Sequence, residues 1–209
     1  MATIATEEDV VNLALSHIGA KAISDLDNDT TVEATEARRV YYNDRDMLLR
    51  SHTWSFMTKR AQLTDSGVDP AFGWDEAYLL PSDFWRVVSV HATDSEQDMP
   101  PYKMEIQEVS SVNTKVILIN SSTCYLRYIF KETDPSKWDS LFQDALAWRL
   151  AASLSLAIPV TLTTFDRLDE KAERALVVAK SVEGVEDWPD QLPDGSWVTE
   201  RDEDLDDFT

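Results

Sequence analysis

The residues able to do chemistry are few, and their spacing does not assemble them. His17, His52 and His91 are the three imidazoles of the chain, and no H-E-x-x-H or other paired metal-ligand spacing connects them. Each is expected on a regular element, in a structural role. Ser51 beside His52 is the one nucleophile next to a base in sequence, but adjacent helical residues point apart and no G-x-S-x-G elbow surrounds it. Neither type of glycine-rich phosphate loop is present. The acidic clusters Asp25 to Asp29 and Asp202 to Asp207 lack the glycine and terminal glutamate of a calcium loop and are expected to be solvated. Among 39 acidic residues some pair always lies at a distance suited to glycoside hydrolysis, so such a pair has no specificity. The expectation is a protein that is not an enzyme, with no catalytic residue, cofactor or metal.

Arg38, Arg39, Arg45 and Arg50 form the most basic stretch of an acidic chain. One role is pairing with nearby Glu33, Glu36, Asp44 and Asp46. The other is an intersubunit contact, because guanidinium forks suit interface carboxylates. Trp138 and Trp148 are expected in the core.

Composition bounds the rest. The chain has 209 residues, 43% of them hydrophobic, with seven tryptophans and five glycines. A chain this long buries roughly 70% of its unfolded surface, enough for a core without crosslinks. Cys124 is the single cysteine, so no internal disulfide can form and a reducing cytosol at synthesis is expected. The first residues lack a basic start and apolar core, so no signal peptide is expected. No apolar run approaches the roughly 18 to 20 residues of a membrane span, which predicts a soluble protein. The net charge of −20 repels nucleic-acid phosphates, arguing against a DNA-gripping role while fitting a wall past which DNA slides.

The elements that would position these residues follow from periodicity. Thr6 with the carboxylates after it caps a first helix, expected from Glu7 to Ile18 with Val11, Ala14, Leu15 and Ile18 on one face. Thr30 and Glu33 resemble a capping box opening a second helix that runs to Ser51. From 62 to 131 the period becomes alternating, with strands expected at Arg86–Val90, Tyr102–Gln107, Lys115–Ile119 and Cys124–Phe130 in one small antiparallel sheet. Asp134 and Pro135 open a third helix with a stripe of Leu141, Ala145, Trp148 and Ala152, ended by Pro159. Thr161 to Thr164 caps a fourth helix, with Phe165, Leu168, Ala172, Ala175 and Ala179 on one face. The expected fold class is α+β, mainly α: an antiparallel helical bundle (1–61 and 132–181) with a small antiparallel sheet (62–131) inserted between the second and third helices. An acidic tail (182–209) follows for partner docking. The tail carries eleven carboxylates against one base, Arg201, half of the net charge. Within it Trp188, Trp197 and Phe208 are spaced like anchors for a partner's groove.

Several stations of this sequence, taken in order, resemble the head-to-tail connector proteins of tailed phages, the adaptor group described as tail tubular protein A or packaged-DNA stabilisation protein. They are Asn12-Leu13-Ala14-Leu15 ending near Gly19, then Ile23-Ser24-Asp25-Leu26-Asp27, and Arg45-Asp46 with Leu48-Leu49-Arg50 before His52 and Trp54. They continue with Tyr78 to Pro81 leading into Arg86-Val87, Thr133-Asp134-Pro135, and Ala145-Leu146-Ala147 with Arg149-Leu150-Ala151-Ala152. The chain departs from the pattern at Thr53 and Ser55, and its acidic tail is longer than the shared core. The resemblance implies a virion structural protein at the head-tail junction. It would be a homo-oligomeric, twelve-fold ring beneath the portal protein that extends the DNA channel, retains packaged DNA and docks the tail nozzle protein. The C-terminal segment, with Trp188, Trp197 and Phe208, would reach the portal. Two other readings remain open on the residues: an acidic interaction protein or DNA mimic that binds a host factor, and a neck or head-completion protein of a long-tailed phage.

Overall fold

The computed structural model describes residues 4–158 and 162–186. Thr6 caps α1 (Glu7–His17) through a capping box in which Thr6 Oγ1 accepts from the Asp9 N–H and the Asp9 carboxylate accepts from the Thr6 N–H. Two orphan amides are thereby satisfied by neighbouring side chains. The cap of α2 (Val32–Arg50) is Thr31, one residue later than expected, with Oγ1 accepting from the Ala34 N–H. Asp134 caps only a 3-10 turn at Pro135–Lys137, and α3 (Ser140–Ser155) restarts behind Asp139. The chain ends in the described region with α4 (Leu162–Glu186), so the first residues of the expected tail, 182–186, are helical.

The expectation of a mainly helical bundle with one small sheet is overturned. Among the described residues there are four α-helices and seven strands, and the strands form two antiparallel sheets. The expected strands appear as β4 (Phe84–His91), β5 (Tyr102–Val109), β6 (Val112–Ile119) and β7 (Tyr125–Phe130). Three more were not foreseen: β1 (Thr58–Gln62), β2 (Thr64–Asp65) and β3 (Glu76–Leu79). Sheet order is β1-β7-β4 in the first and β2-β3-β6-β5 in the second. β1 has no alternation to detect because it is an exposed edge strand, whereas Ala77 and Tyr78 of β3 are buried on opposite faces. A strand buried on both faces loses the period-two signal.

One face of the second sheet, with Tyr78, Ile117 and Ile119, packs with Leu126 and Tyr128 of the first. The opposite face buries Ala77, Val116 and Leu118 beneath Trp74. Gln107 holds the overlying loop there, its amide donating to the carbonyls of Val68 (3.0 Å) and Asp69 (3.1 Å).

The helical core is built on α3, which packs against all three other helices. Its expected stripe is too narrow: Phe142, Leu146, Leu150 and Ala151 are fully buried too, while Leu141 and Trp148 are only partly buried. A central helix keeps little solvent-facing surface to be polar. Phe142 sits edge-on to Trp54 at 5.1 Å, Phe56 at 5.4 Å and Trp138 at 5.3 Å, the arrangement that aromatic quadrupoles favour. Ile129 at the far end of β7 joins this core, coupling the first sheet to the helices.

Candidate functional site

The four arginines of α2 do not act as one row. Arg45 is 5% exposed; its guanidinium reaches Glu7 Oε1 at 3.1 Å and Asp46 Oδ1 at 3.0 Å, and lies over the rings of Tyr41 and Tyr42. The partner Glu7 has its carboxyl raised, by burial first, with Arg45 opposing that shift. Arg38 donates to the carbonyls of Leu26 (2.9 Å) and Asp29 (3.0 Å), and so pins the loop between α1 and α2. That loop is organised by its own acids: Asp25 Oδ1 accepts from the amides of Asp27 and Asn28. The Asn28 side-chain hydrogen bond is the first cause holding the Asp25 carboxyl below its ordinary value. Arg39 and Arg50 point outward: Arg39 pairs with Glu36 at 3.3 Å, and Arg50 lies 5.5 Å from the centre of the Trp85 ring. Arg38 and Arg45 are therefore engaged within the chain, whereas Arg39 and Arg50 stay exposed.

The histidines are dispersed. His17 stacks on Trp148 at 3.6 Å with planes 3° apart, and burial lowers its pKa. Lys171 Nζ lies 4.3 Å from the centre of the same Trp148 ring. His52 sits edge-on to Trp54 at 4.9 Å. Ser51 Oγ donates back to the Leu48 carbonyl at 2.8 Å, which is helix-end chemistry. Cys124 is buried, and burial pushes its thiol up to about 12, the opposite of an activated nucleophile. Among the described residues no three His, Cys, Asp or Glu side chains could hold a metal ion.

Two polar arrangements were invisible in the sequence. The first joins α2, α3 and α4: Ser153 Oγ donates to Asp44 Oδ2 at 2.6 Å, while Arg149 approaches Asp44 at 3.9 Å and Asp169 at 3.4 Å. Asp44 is raised, chiefly by burial, with Ser153 and Arg149 working against it. This network crosslinks helices, as buried polar groups with partners do.

The second is a face of the first sheet. Its registers set Thr58, Ile129 and Arg86 in one row, Arg60, Arg127 and Ser89 in the next, and Gln62, Tyr125 and His91 in a third. Three arginines thus share a face whose nine registered positions hold no carboxylate, in a chain with twice as many acids as bases. Arg60 and Arg127 are directly opposite each other, an arrangement that costs free energy unless an anion lies near. Glu96, from the loop after β4, forms an ion pair with Arg60. An open pocket of about 310 Å³ lies there, lined by Arg60, Arg127, Gln62, His91, Thr93 and Glu96 among others. Ser89 Oγ and His91 Nε2 are 2.7 Å apart, and buried His91 Nδ1 has no hydrogen-bond partner among the described residues. A triad would place a carboxylate at that nitrogen, and none of the described residues supplies one. Arg60 and Arg127 are 67 residues apart, so no local pattern could have announced them.

Trp188, Trp197 and Phe208, the expected anchors of the C-terminal segment, lie outside the described residues. Among the described residues no helix is long and apolar enough to cross a membrane. No family model matches the sequence, and no curated protein matches it either.

Proposed function

We propose that the protein is a structural adaptor of the head-tail junction of a tailed phage. It forms a ring under the portal protein, extends the DNA channel, retains packaged DNA and presents a docking surface to the tail nozzle. The reading starts from the ordered stations that resemble the connector family. The structural observation that supports it best is β5. This eight-residue strand lies at the edge of the second sheet and is exposed along most of its length, with Tyr102, Met104 and Ile106 on one face. A long open edge bearing apolar side chains is a hazard in a monomer and is ordinarily covered by a partner. A closed ring needs two different complementary faces on each subunit; β5 offers one, and outward-facing Arg39 and Arg50 offer a second. The net charge of −20 suits a channel wall that does not retain DNA.

The test is the mass of the full chain by native mass spectrometry, alone and mixed with the portal ring encoded near its gene. One copy bound per portal subunit is the expected result. A monomer or dimer that ignores the portal would refute the adaptor and favour the acidic interaction protein.

A further inference from the structure

We propose that β5 pairs edge to edge with β5 of a second copy of this chain, antiparallel, about a two-fold axis at Met104. Among the described residues β5 is hydrogen-bonded to β6 alone. The turn at Ser110 and Ser111 closes between Val109 and Val112, so the hydrogen-bonded pairs of this hairpin fall at Val109, Gln107, Glu105 and Lys103. The backbone groups of Tyr102, Met104, Ile106 and Glu108 point to the open edge instead. A strand added there must bond through those residues, and a two-fold pairing must set one residue opposite itself.

The side chains select the register. With Met104 opposite Met104, Lys103 faces Glu105 of the second copy, Glu105 faces its Lys103, and Tyr102 faces its Ile106. Each charge meets its opposite and an aromatic ring meets a β-branched side chain, pairs that stabilise a sheet. Sliding one strand by two residues sets Lys103 opposite Lys103 or Glu105 opposite Glu105, and like charges resist both. Sliding by one residue sets open-edge groups against groups already bonded to β6. Lys103 and Glu105 pair within the chain at 2.6 Å and keep 60% and 44% of their side chains exposed, so the dimer closes them into an alternating cluster at little desolvation cost. Tyr102, Met104 and Ile106, exposed large side chains, lie on the sheet face of Ile117 and Ile119, and the second copy continues that apolar face across the axis. Pro100, which falls opposite Glu108 and has no N–H, ends the ladder. So short a contact makes a weak dimer, with half-association above about 1 µM. The inference does not rest on the adaptor reading; in an adaptor the same edge serves the ring, and the portal draws subunits out of the dimer.

Sedimentation velocity of the full chain under reductant, from about 1 to 100 µM, tests it. Wild type is expected to pass from monomer to dimer. Lys103→Glu and Glu105→Lys should each weaken association by about tenfold or more, because each sets like charges across the axis. An equimolar mixture of the two variants should associate like wild type, since one strand then carries two carboxylates and the other two ammonium groups at facing positions. The double variant Lys103→Glu/Glu105→Lys should associate like wild type as well. Single variants that dimerise normally, or a loss that neither the mixture nor the double variant repairs, would overturn the inference, as would a wild-type species larger than a dimer. A wild-type monomer at every concentration overturns it too, and slow hydrogen exchange at Met104 and Ile106 in that monomer would assign the edge to another segment of the same chain. The double variant keeps the composition and the in-strand pair of wild type, so it decides the matter if a single variant fails to fold. Portal binding is not read by this experiment, so its failure and that of the adaptor reading remain distinct.

Discussion

Replacing Arg45 with alanine should destabilise the protein far more than replacing Arg39, although the two stand only six residues apart on α2. The Arg45 side chain is 6% exposed and bonded to Glu7 and Asp46, which are 27% and 31% exposed. Breaking a fully buried ion pair costs about 3–5 kcal/mol. Because both carboxylates here keep some solvent, the expected cost is the lower part of that range or just under it, about 2–3 kcal/mol. For a chain of this size that corresponds to a fall in Tm of about 4–12 °C. Arg45→Met, which retains an apolar stem over Tyr41 and Tyr42, should recover about 1 kcal/mol. Arg39, 72% exposed in its pair with Glu36, should change stability by less than about 0.5 kcal/mol when truncated. The assay is urea unfolding with the m-value checked for constancy. A pH arm sharpens it. Arg45 lowers the Glu7 carboxyl against the rise caused by burial, so without Arg45 that carboxyl rises further, and acidification from neutral pH should shrink the penalty as Glu7 takes up a proton. Equal midpoints for Arg45→Ala and Arg39→Ala, or a penalty that grows on acidification, would refute the assignment of Arg45 to the interior.

Asp44 is held above its ordinary carboxyl value by burial, so its ionised form costs stability at neutral pH, and that cost is relieved as pH falls through the raised value towards 3.8. Wild type should therefore gain stability relative to Asp44→Asn on acidification; a flat or opposite difference in unfolding midpoints would count against it. The turn between β5 and β6 places Ser110 at φ 52° and Ser111 at φ 65°, a left-handed pair for which glycine is suited at the second position. Ser111→Gly should raise stability by about 0.5–1 kcal/mol, and a loss in the same urea assay would show that the turn is not of this type. Cys124, with its thiol pushed up to about 12, should resist a thiol reagent at pH 8 in the native protein and react once urea unfolds it. Stoichiometric labelling before unfolding would refute its burial.

The helices were legible because their signals are local. Thr6 and Asp9 cap within a few residues of themselves, the α2 cap was placed at Thr30, one residue before the observed Thr31, and α1, α2 and α4 each keep a polar side, so a period of 3.6 survives in the sequence. α3 was only half legible: its N-terminus was displaced by the Pro135 turn, and burial around most of its circumference blurred its stripe. The sheet region was recognised by alternation in β4 to β7 and missed in β1, β2 and β3, where strands are exposed at an edge, two residues long, or apolar on both faces. Counting one sheet in place of two has the same origin, because strand pairing is non-local: β1 pairs with β7 across more than sixty residues of chain.

The sequence by itself determined the acidic character of the molecule, the start of α1, the lone unbridged cysteine and the concentration of charge in the last residues, because composition and capping are properties of a chain before it folds. Which of four similar arginines on α2 turn inward was decided only by the tertiary structure, since that depends on what α1 and the loop before α2 bring against each position. The same holds for the Asp44, Ser153 and Arg149 network and for the three arginines of the first sheet. Their proximity is created by strand register and helix packing, and those are settled by burying apolar side chains far from the charges themselves.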